Sequence, residues 1–254
     1  PLIFWRFSIA ALLMVPVLLR KPKGGSRHTG SMAAAIRASF IGAVFLAAYN
    51  VCFFLGLERG TAGVGGVLVT TLNPILTFLF SSLVFRQKAL PLQVCGIIVG
   101  LLGGAAILEV WSLTPGTLLE SGNVFFLGAS VSYASLTVWS QKAERHAGHF
   151  TYSTLVYLFT ALLAVPVLLI RGTGIMDIPK ADAAFWGALV FLAAGVTSVG
   201  TTIYFLAARK IGSSKTASFI FTIPLSALLF SWLFLGEVPR TATVIGGFVS
   251  VVAV

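Results

Sequence analysis

Nine stretches of this chain are apolar for long enough to cross a lipid bilayer. They are Leu2–Leu19, Ala38–Leu57, Ala62–Phe85, Leu92–Leu108, Gly122–Trp139, Ser153–Ile170, Ala183–Leu206, Thr216–Leu235 and the shorter Ala242–Val254. A bilayer needs about 20 consecutive apolar residues from a crossing helix. The gaps between the runs are brief, which leaves no room for a separate soluble domain. Charged residues make up 9% of the 254, against about 25% in a soluble domain, too few to cover a water-facing surface. The sequence therefore predicts an all-α polytopic membrane protein. A net charge of +10 would suit a nucleic-acid partner, but the basic residues sit in short gaps between apolar runs, so none is expected. Cys52 and Cys95 both lie inside apolar runs and read as small packing residues, not as a disulfide.

The runs repeat. Val67–Phe85 carries Pro74, Ala217–Leu235 carries Pro224, and the two prolines are 150 residues apart. At that offset Leu79, Phe80, Ser81 and Leu83 meet identical residues, and Ala11–Leu19 matches Ala161–Leu169 at eight of nine positions. Gly96 falls on Gly246, Val94 on Val244 and Arg59 on Arg209. An internal repeat fixes the architecture before any single helix does. It divides the chain into residues 1–110 and 122–254, and run Gly122–Trp139 would have its counterpart only upstream of Pro1. The expected whole is a ten-helix bundle of two five-helix repeats, with nine helices present, the first missing and the last short. Each proline should kink a long apolar helix near its middle, because it removes one hydrogen bond and crowds the preceding turn.

Five helices per repeat is an odd number, so the halves should cross the membrane in opposite senses. Cytoplasmic loops carry excess Lys and Arg. With the gap after the first run inside, the inside gaps hold twelve basic residues, Arg20, Lys21, Lys23, Arg27, Arg37, Arg86, Lys88, Lys142, Arg145, Arg209, Lys210 and Lys215. The outside gaps hold four, Arg59, Arg171, Lys180 and Arg240. Acidic residues show the reverse bias, with only Glu144 inside. The C-terminus is thereby expected in the cytoplasm. Arg6 is the one basic residue within a run; it either extends to the outer interface or pairs with a helix end or a solute carboxylate.

Tyr204-Phe-Leu-Ala-Ala-Arg-Lys-Ile-Gly212, the helix around Pro224, and Leu235-Gly236-Glu237 followed by Gly246 and Gly247 resemble the EamA domain of the drug/metabolite transporter superfamily. Arg6-Phe7 is similar to that family's Arg-Phe pair. The resemblance covers almost the whole chain as two domains. It departs at Arg86-Gln87, where the second half has Gly236-Glu237. The resemblance implies a bacterial inner-membrane carrier, with export of an amino acid or related metabolite as the leading function. A sugar- or nucleotide-type carrier is an alternative that would want a basic cluster for phosphates. A non-transporting membrane scaffold or receptor is another, and it would need a dry, closely packed midplane.

Several helices present polar side chains at helical spacing. These are Thr70, Asn73 and Thr77; Ser130, Tyr133 and Thr137; Thr197, Thr201 and Tyr204; and Ser218, Thr222 and Ser226, with Tyr49 and Asn50 on the Ala38–Leu57 run. A pathway for a polar solute needs such groups. We take Tyr49, Asn50, Thr70, Asn73, Thr77, Ser130, Tyr133, Thr197, Thr201, Tyr204 and Thr222 as candidate solute ligands, and Pro74 and Pro224 as hinges. Phe53, Trp139 and Phe221 would supply the walls. The competing reading of each Ser or Thr is a bond back to its own helix or across to a neighbour. Asn73 is the residue for which a pathway role is preferred, since a carboxamide beside a kink is costly in lipid unless it faces the interior. Gly96, Gly100 and Gly104 read as a ridge for close helix packing. No metal-ligand spacing, nucleophile motif or phosphate loop is present. Neither catalysis nor a cofactor is expected; the partners are the bilayer and a small solute, and a monomer is favoured.

Overall fold

The computed structural model describes residues 1–19, 31–60, 62–86, 90–107, 121–177, 182–236 and 241–252, and every element among them is helical. In order they are α1 (Leu2–Leu19), α2 (Met32–Arg59), α3 (Ala62–Phe85), α4 (Pro91–Ile107), α5 (Ser121–Ala147) and α6 (His149–Ile170). A composite rod follows: α7 (Ala183–Phe191), a π-helix (Leu192–Thr201) and α8 (Thr202–Ile211). Then come α9 (Ser213–Ser218), a 3₁₀ turn (Phe219–Thr222), α10 (Ile223–Leu235) and α11 (Thr241–Val252). Five stretches among the described residues have both the length and the apolarity of a membrane crossing: Leu2–Leu19, Met32–Arg59, Leu68–Phe85, His149–Ile170 and Ala183–Ile211. The expected run Gly122–Trp139 is helical within α5 but is not one of the five. Asn123 and five Ser, Thr and Tyr residues at 130–137 dilute it, and of these Asn123, Ser130 and Thr137 are buried.

Polarity is distributed as lipid solvent demands. Leu12, Leu19, Leu83, Leu92, Ile170 and Phe234 are exposed, while Asn50, Asn73, Thr77, Ser130, Thr197 and Ser213 are buried. A soluble fold would show the opposite; in a bilayer the hydroxyls and carboxamides are drawn inward to find partners.

The chain forms two compact units, and each draws on both halves of the sequence: residues 1–47 with 139–210, and residues 48–138 with 211–254. In the first unit α1 lies along α6 and also meets α7 and the π-helix. The buried residues of α1 are Phe7, Ala10, Ala11 and Met14, a stripe at i, i+3, i+4 and i+7. In the second unit α4 lies along α11, and α3 packs on α9, the 3₁₀ turn and α4. These pairs follow the repeat. Moved by 150 residues, α1 falls on α6, α4 on α11, and α3 on the stretch from α9 to α10. Helix meets its own counterpart, in the manner of a two-fold contact where i touches j and j touches i.

Glycine makes the close approaches. A Cβ on Gly56 would lie 2.6 Å from the ring of Phe126, and one on Gly65 would strike the same ring. Phe126 is fully buried between them, in a cluster with Val69 and Ala129. A Cβ on Gly122 would meet the backbone of Gly60 at 2.5 Å. The α4 ridge behaves as expected of a packing ridge, with Gly100 against Phe221 and Gly104 against Thr71.

The two prolines do not act alike. Helix α3 runs unbroken through Pro74. The expected long helix Thr216–Leu235 is instead three pieces, with Pro224 in the first turn of α10. Proline has no N–H, so the carbonyl of Ile220 loses its i+4 donor. The chain ahead of it tightens into i+3 pairing, helped by the Thr222 hydroxyl bonding the Phe219 carbonyl at 2.7 Å.

Candidate functional site

Helix α3 in the second unit carries a polar row. Asn73, Thr77 and Ser81 stand at i, i+4 and i+8, so they share a face, and they are 3%, 0% and 3% exposed. Ser81 accepts a hydrogen bond from Ser213 of α9 at 3.1 Å. Asn73 Oδ1 and Thr77 Oγ1 have no partner at all. Two other buried helical hydroxyls, Ser39 on α2 and Ser153 on α6, are unpaired as well, but most are not. Thr70, Ser130, Ser132, Ser135, Thr137, Thr154 and Thr160 all return a bond to the carbonyl four residues back. A buried polar group left unpaired costs about 1–3 kcal/mol, and α3 holds two of them one turn apart. Pro74, between them, is buried.

The same unit holds an aromatic cluster. The rings of Tyr49 (α2) and Tyr133 (α5) have centroids 4.9 Å apart at 58°. Phe53 stacks on Tyr49 at 5.8 Å and meets Phe126 edge-on at 5.9 Å. Gly65 abuts Phe126, and Val69 clusters with Phe126 and Ala129. Sequence number thus rises in step along α3 and α5, so the helices run parallel here. One further turn along both brings Asn73 to the level of Tyr133. Asn50 is buried next to Tyr49.

The remaining candidates divide. Thr70 and Ser130 spend their hydroxyls on the carbonyls of Gly66 and Phe126, at 2.6 and 2.9 Å, the local reading for both. Thr222 and Ser226 likewise bond the carbonyls of Phe219 and Thr222. Thr197, Thr201 and Tyr204 belong to the first unit. The α-helical face predicted for them does not form, because Leu192–Thr201 winds as a π-helix with one more residue in each hydrogen-bonded ring. Hydroxyls reinforce that winding by bonding five residues back, Ser198 to Ala193 at 2.8 Å and Thr201 to Val196 at 3.2 Å. The run Ala193-Ala-Gly-Val-Thr-Ser-Val-Gly200 is short-chained enough to permit it.

Arg6 reaches inward, to this π-helix. Its Nε donates to Thr197 Oγ1 at 2.7 Å, and its guanidinium lies 5.4 Å from the centre of the Phe7 ring. Tyr157, fully buried on α6, donates to the Thr197 carbonyl at 2.9 Å and shares a 2.9 Å bond with Thr202 Oγ1. Sequence reasoning missed Tyr157, Ser198 and Thr202. Tyr157 shares the i, i+4, i+7 spacing with Ser153 and Thr160, a signal that could have marked it. The Ser81–Ser213 bond was equally unforeseen, although Ser81 lies on the same face as Asn73 and Thr77 and could have been read from the spacing.

Comparison with known proteins matches this architecture. The sequence profile of the EamA-like transporter family fits residues 1–108 and again 120–254. The chain is 24% identical to YyaM, an uncharacterized transporter of Bacillus subtilis, over 98% of this chain and 81% of that one. It is 27% identical to a chloroplastic WAT1-related protein of Arabidopsis thaliana, over 98% of this chain and 61% of the relative. It is 25% identical to the pseudopaline exporter CntI of Pseudomonas aeruginosa, over 99% and 83%. A solved crystal structure superposes with a TM-score of 0.78 at 19% identity, covering 99% of this chain and 84% of that chain, which fixes the fold. With the profile spanning both halves, this polytopic helical protein belongs to the EamA-like transporter family of the drug/metabolite transporter superfamily.

Proposed function

We propose that the protein moves a small organic solute, an amino acid or related metabolite, out of the cell by alternating access, and that Asn73 and Thr77 form part of the solute site. The observation that carries the site is the pair of buried, partnerless oxygens on α3. In lipid a carboxamide beside a hydroxyl, both unpaired one turn apart, is costly to keep, which supports a role in holding a solute. Tyr49, Tyr133 and Phe53 of the same unit serve as the wall of the path, with Asn50 as a further polar contact. Export is favoured by one relative, the pseudopaline exporter. In this reading the two inverted halves rock around the site. The break before Pro224, where helix passes to 3₁₀ and back, takes up the bending, and Pro74 is the milder hinge. The basic gaps favour a cytoplasmic C-terminus, and the bacterial relatives favour a bacterial inner membrane.

The test is flux and binding in reconstituted vesicles beside a thermal-unfolding assay. Asn73→Leu should abolish transport and leave the folded state as stable as before or more so, because it removes an orphan acceptor. A carboxamide that bridged two helices would instead cost about 0.6 kcal/mol when removed. Normal transport by Asn73→Leu, or loss of stability alone, refutes the assignment.

A further inference from the structure

We infer that the α3 site takes the protonated amino group of the solute. This rests on the transport reading above and adds the chemistry of what is bound. Asn73 Oδ1 can only accept a hydrogen bond, and Thr77 Oγ1 has its lone pairs unused. Both are nine-tenths or more buried. Side chains one helical turn apart have Cβ atoms about 5–6 Å from each other. An ammonium holds two acceptors at about 2.8 Å each, which sets them on the order of 4.5–5 Å apart. One nitrogen can therefore satisfy both oxygens and still turn a third N–H to the neighbouring helices.

The surroundings suit a cation without supplying a counter-charge. The ring faces of Tyr49, Phe53 and Tyr133, in the same compact unit as α3, carry negative quadrupole density, and Tyr133 lies level with Asn73 along parallel helices. Helix α3 itself carries no charged residue. A carboxylate could use only the Asn73 amide N–H and the Thr77 O–H, and would leave the Asn73 oxygen unpaired. A full acid in the place of Asn73 would hold a cation too firmly for release; a carboxamide and a hydroxyl give a weaker, reversible hold. At the 150-residue offset, Asn73 falls on Ile223 and Thr77 on Ala227. The second half has no matching pair at these positions, so the repeat does not duplicate the site.

The experiment uses the protein reconstituted in vesicles. A panel of amino acids is screened for exchange, and each one that exchanges is compared with its N-acetyl derivative and with its decarboxylated amine. A second panel of neutral sugars runs beside it. Acetylation should weaken binding at least tenfold, since it removes a charge-assisted pair of hydrogen bonds. Loss of the carboxylate should leave the Asn73-dependent part of the affinity intact. Asn73→Asp should bind the amines at least tenfold more tightly and exchange them more slowly. Thr77→Val, which keeps shape and loses only the oxygen, should halve the discrimination on a logarithmic scale. N-acetyl derivatives binding as well as their parents would overturn the inference, as would Asn73→Leu and Thr77→Val both keeping the full preference for amines. If no amine exchanges but a sugar does, the amine inference fails while the transport reading stands. If neither panel moves, the transport reading fails with it.

Discussion

Consider exchanging Arg86 and Gly236, the residues that close α3 and α10. They occupy equivalent places, 150 residues apart, and both adopt the left-handed conformation, with φ of 51° for Arg86 and 68° for Gly236. Gly236 donates its N–H to the Trp232 carbonyl at 3.2 Å, as a left-handed cap should. A side chain in this conformation costs about 1–2 kcal/mol. Glycine returns roughly 0.4–1 kcal/mol of that, because its unfolded chain has more freedom to lose. Arg86→Gly should therefore stabilise the protein by about 0.5–1 kcal/mol. Gly236→Arg should destabilise by a similar amount, all of it from the backbone, because a Cβ at Gly236 meets nothing within 4 Å. The double exchange should come out near zero. Arg86→Ala separates charge from backbone: it removes the guanidinium, keeps the Cβ, and should change stability by less than about 0.5 kcal/mol. The assay is thermal unfolding of the purified protein in detergent, where about 1 kcal/mol shifts the midpoint by roughly 2–4 °C in a chain of this size. A lowered midpoint for Arg86→Gly, or equal gains from the Gly and Ala variants, would refute the reasoning.

Tyr157→Phe removes a buried hydroxyl that bonds both Thr197 and Thr202, so it should cost about 1–3 kcal/mol; an unchanged thermal midpoint would show that the π-helix does not depend on that clamp. In a variant lacking Cys52 and Cys95, single cysteines at Gly24 and Ala147 should resist an impermeant thiol reagent applied to intact cells while one at Gly116 reacts, and labelling at Gly24 would reverse the membrane sense derived from the basic gaps.

The helices were legible because their cause is local. A run such as Leu2–Leu19 or Ala62–Phe85 has only one low-energy form in hydrocarbon, and both appear at those very limits. The failures arise where a hydrogen-bond register depends on neighbours. Nothing in Ala193–Thr201 forbids an α-helix; the π-helix takes its support from Tyr157 and Arg6, which lie 40 and 191 residues from Thr197. The sequence likewise gives Pro74 and Pro224 equal standing, yet only the second coincides with a broken helix. For the site, Asn73 and Thr77 could be placed on one face from spacing alone. That their oxygens have no partner could not, because Thr77 is the same residue type as Thr70, whose hydroxyl bonds back to its own helix.

The pairing of each helix with its own counterpart bears on how a lopsided site could arise. When two separate copies meet about a two-fold axis, every substitution enters twice, once on each side. An asparagine facing the axis region would then bring a second one, and a second unsatisfied oxygen with its cost. Joining the two copies into one chain uncouples them. One arm can carry the apolar Ile223 and Ala227 while the other carries Asn73 and Thr77. The packing of α1 on α6 and α4 on α11 retains the geometry of the pair, and the amine site on α3 is a difference that two identical copies could not hold.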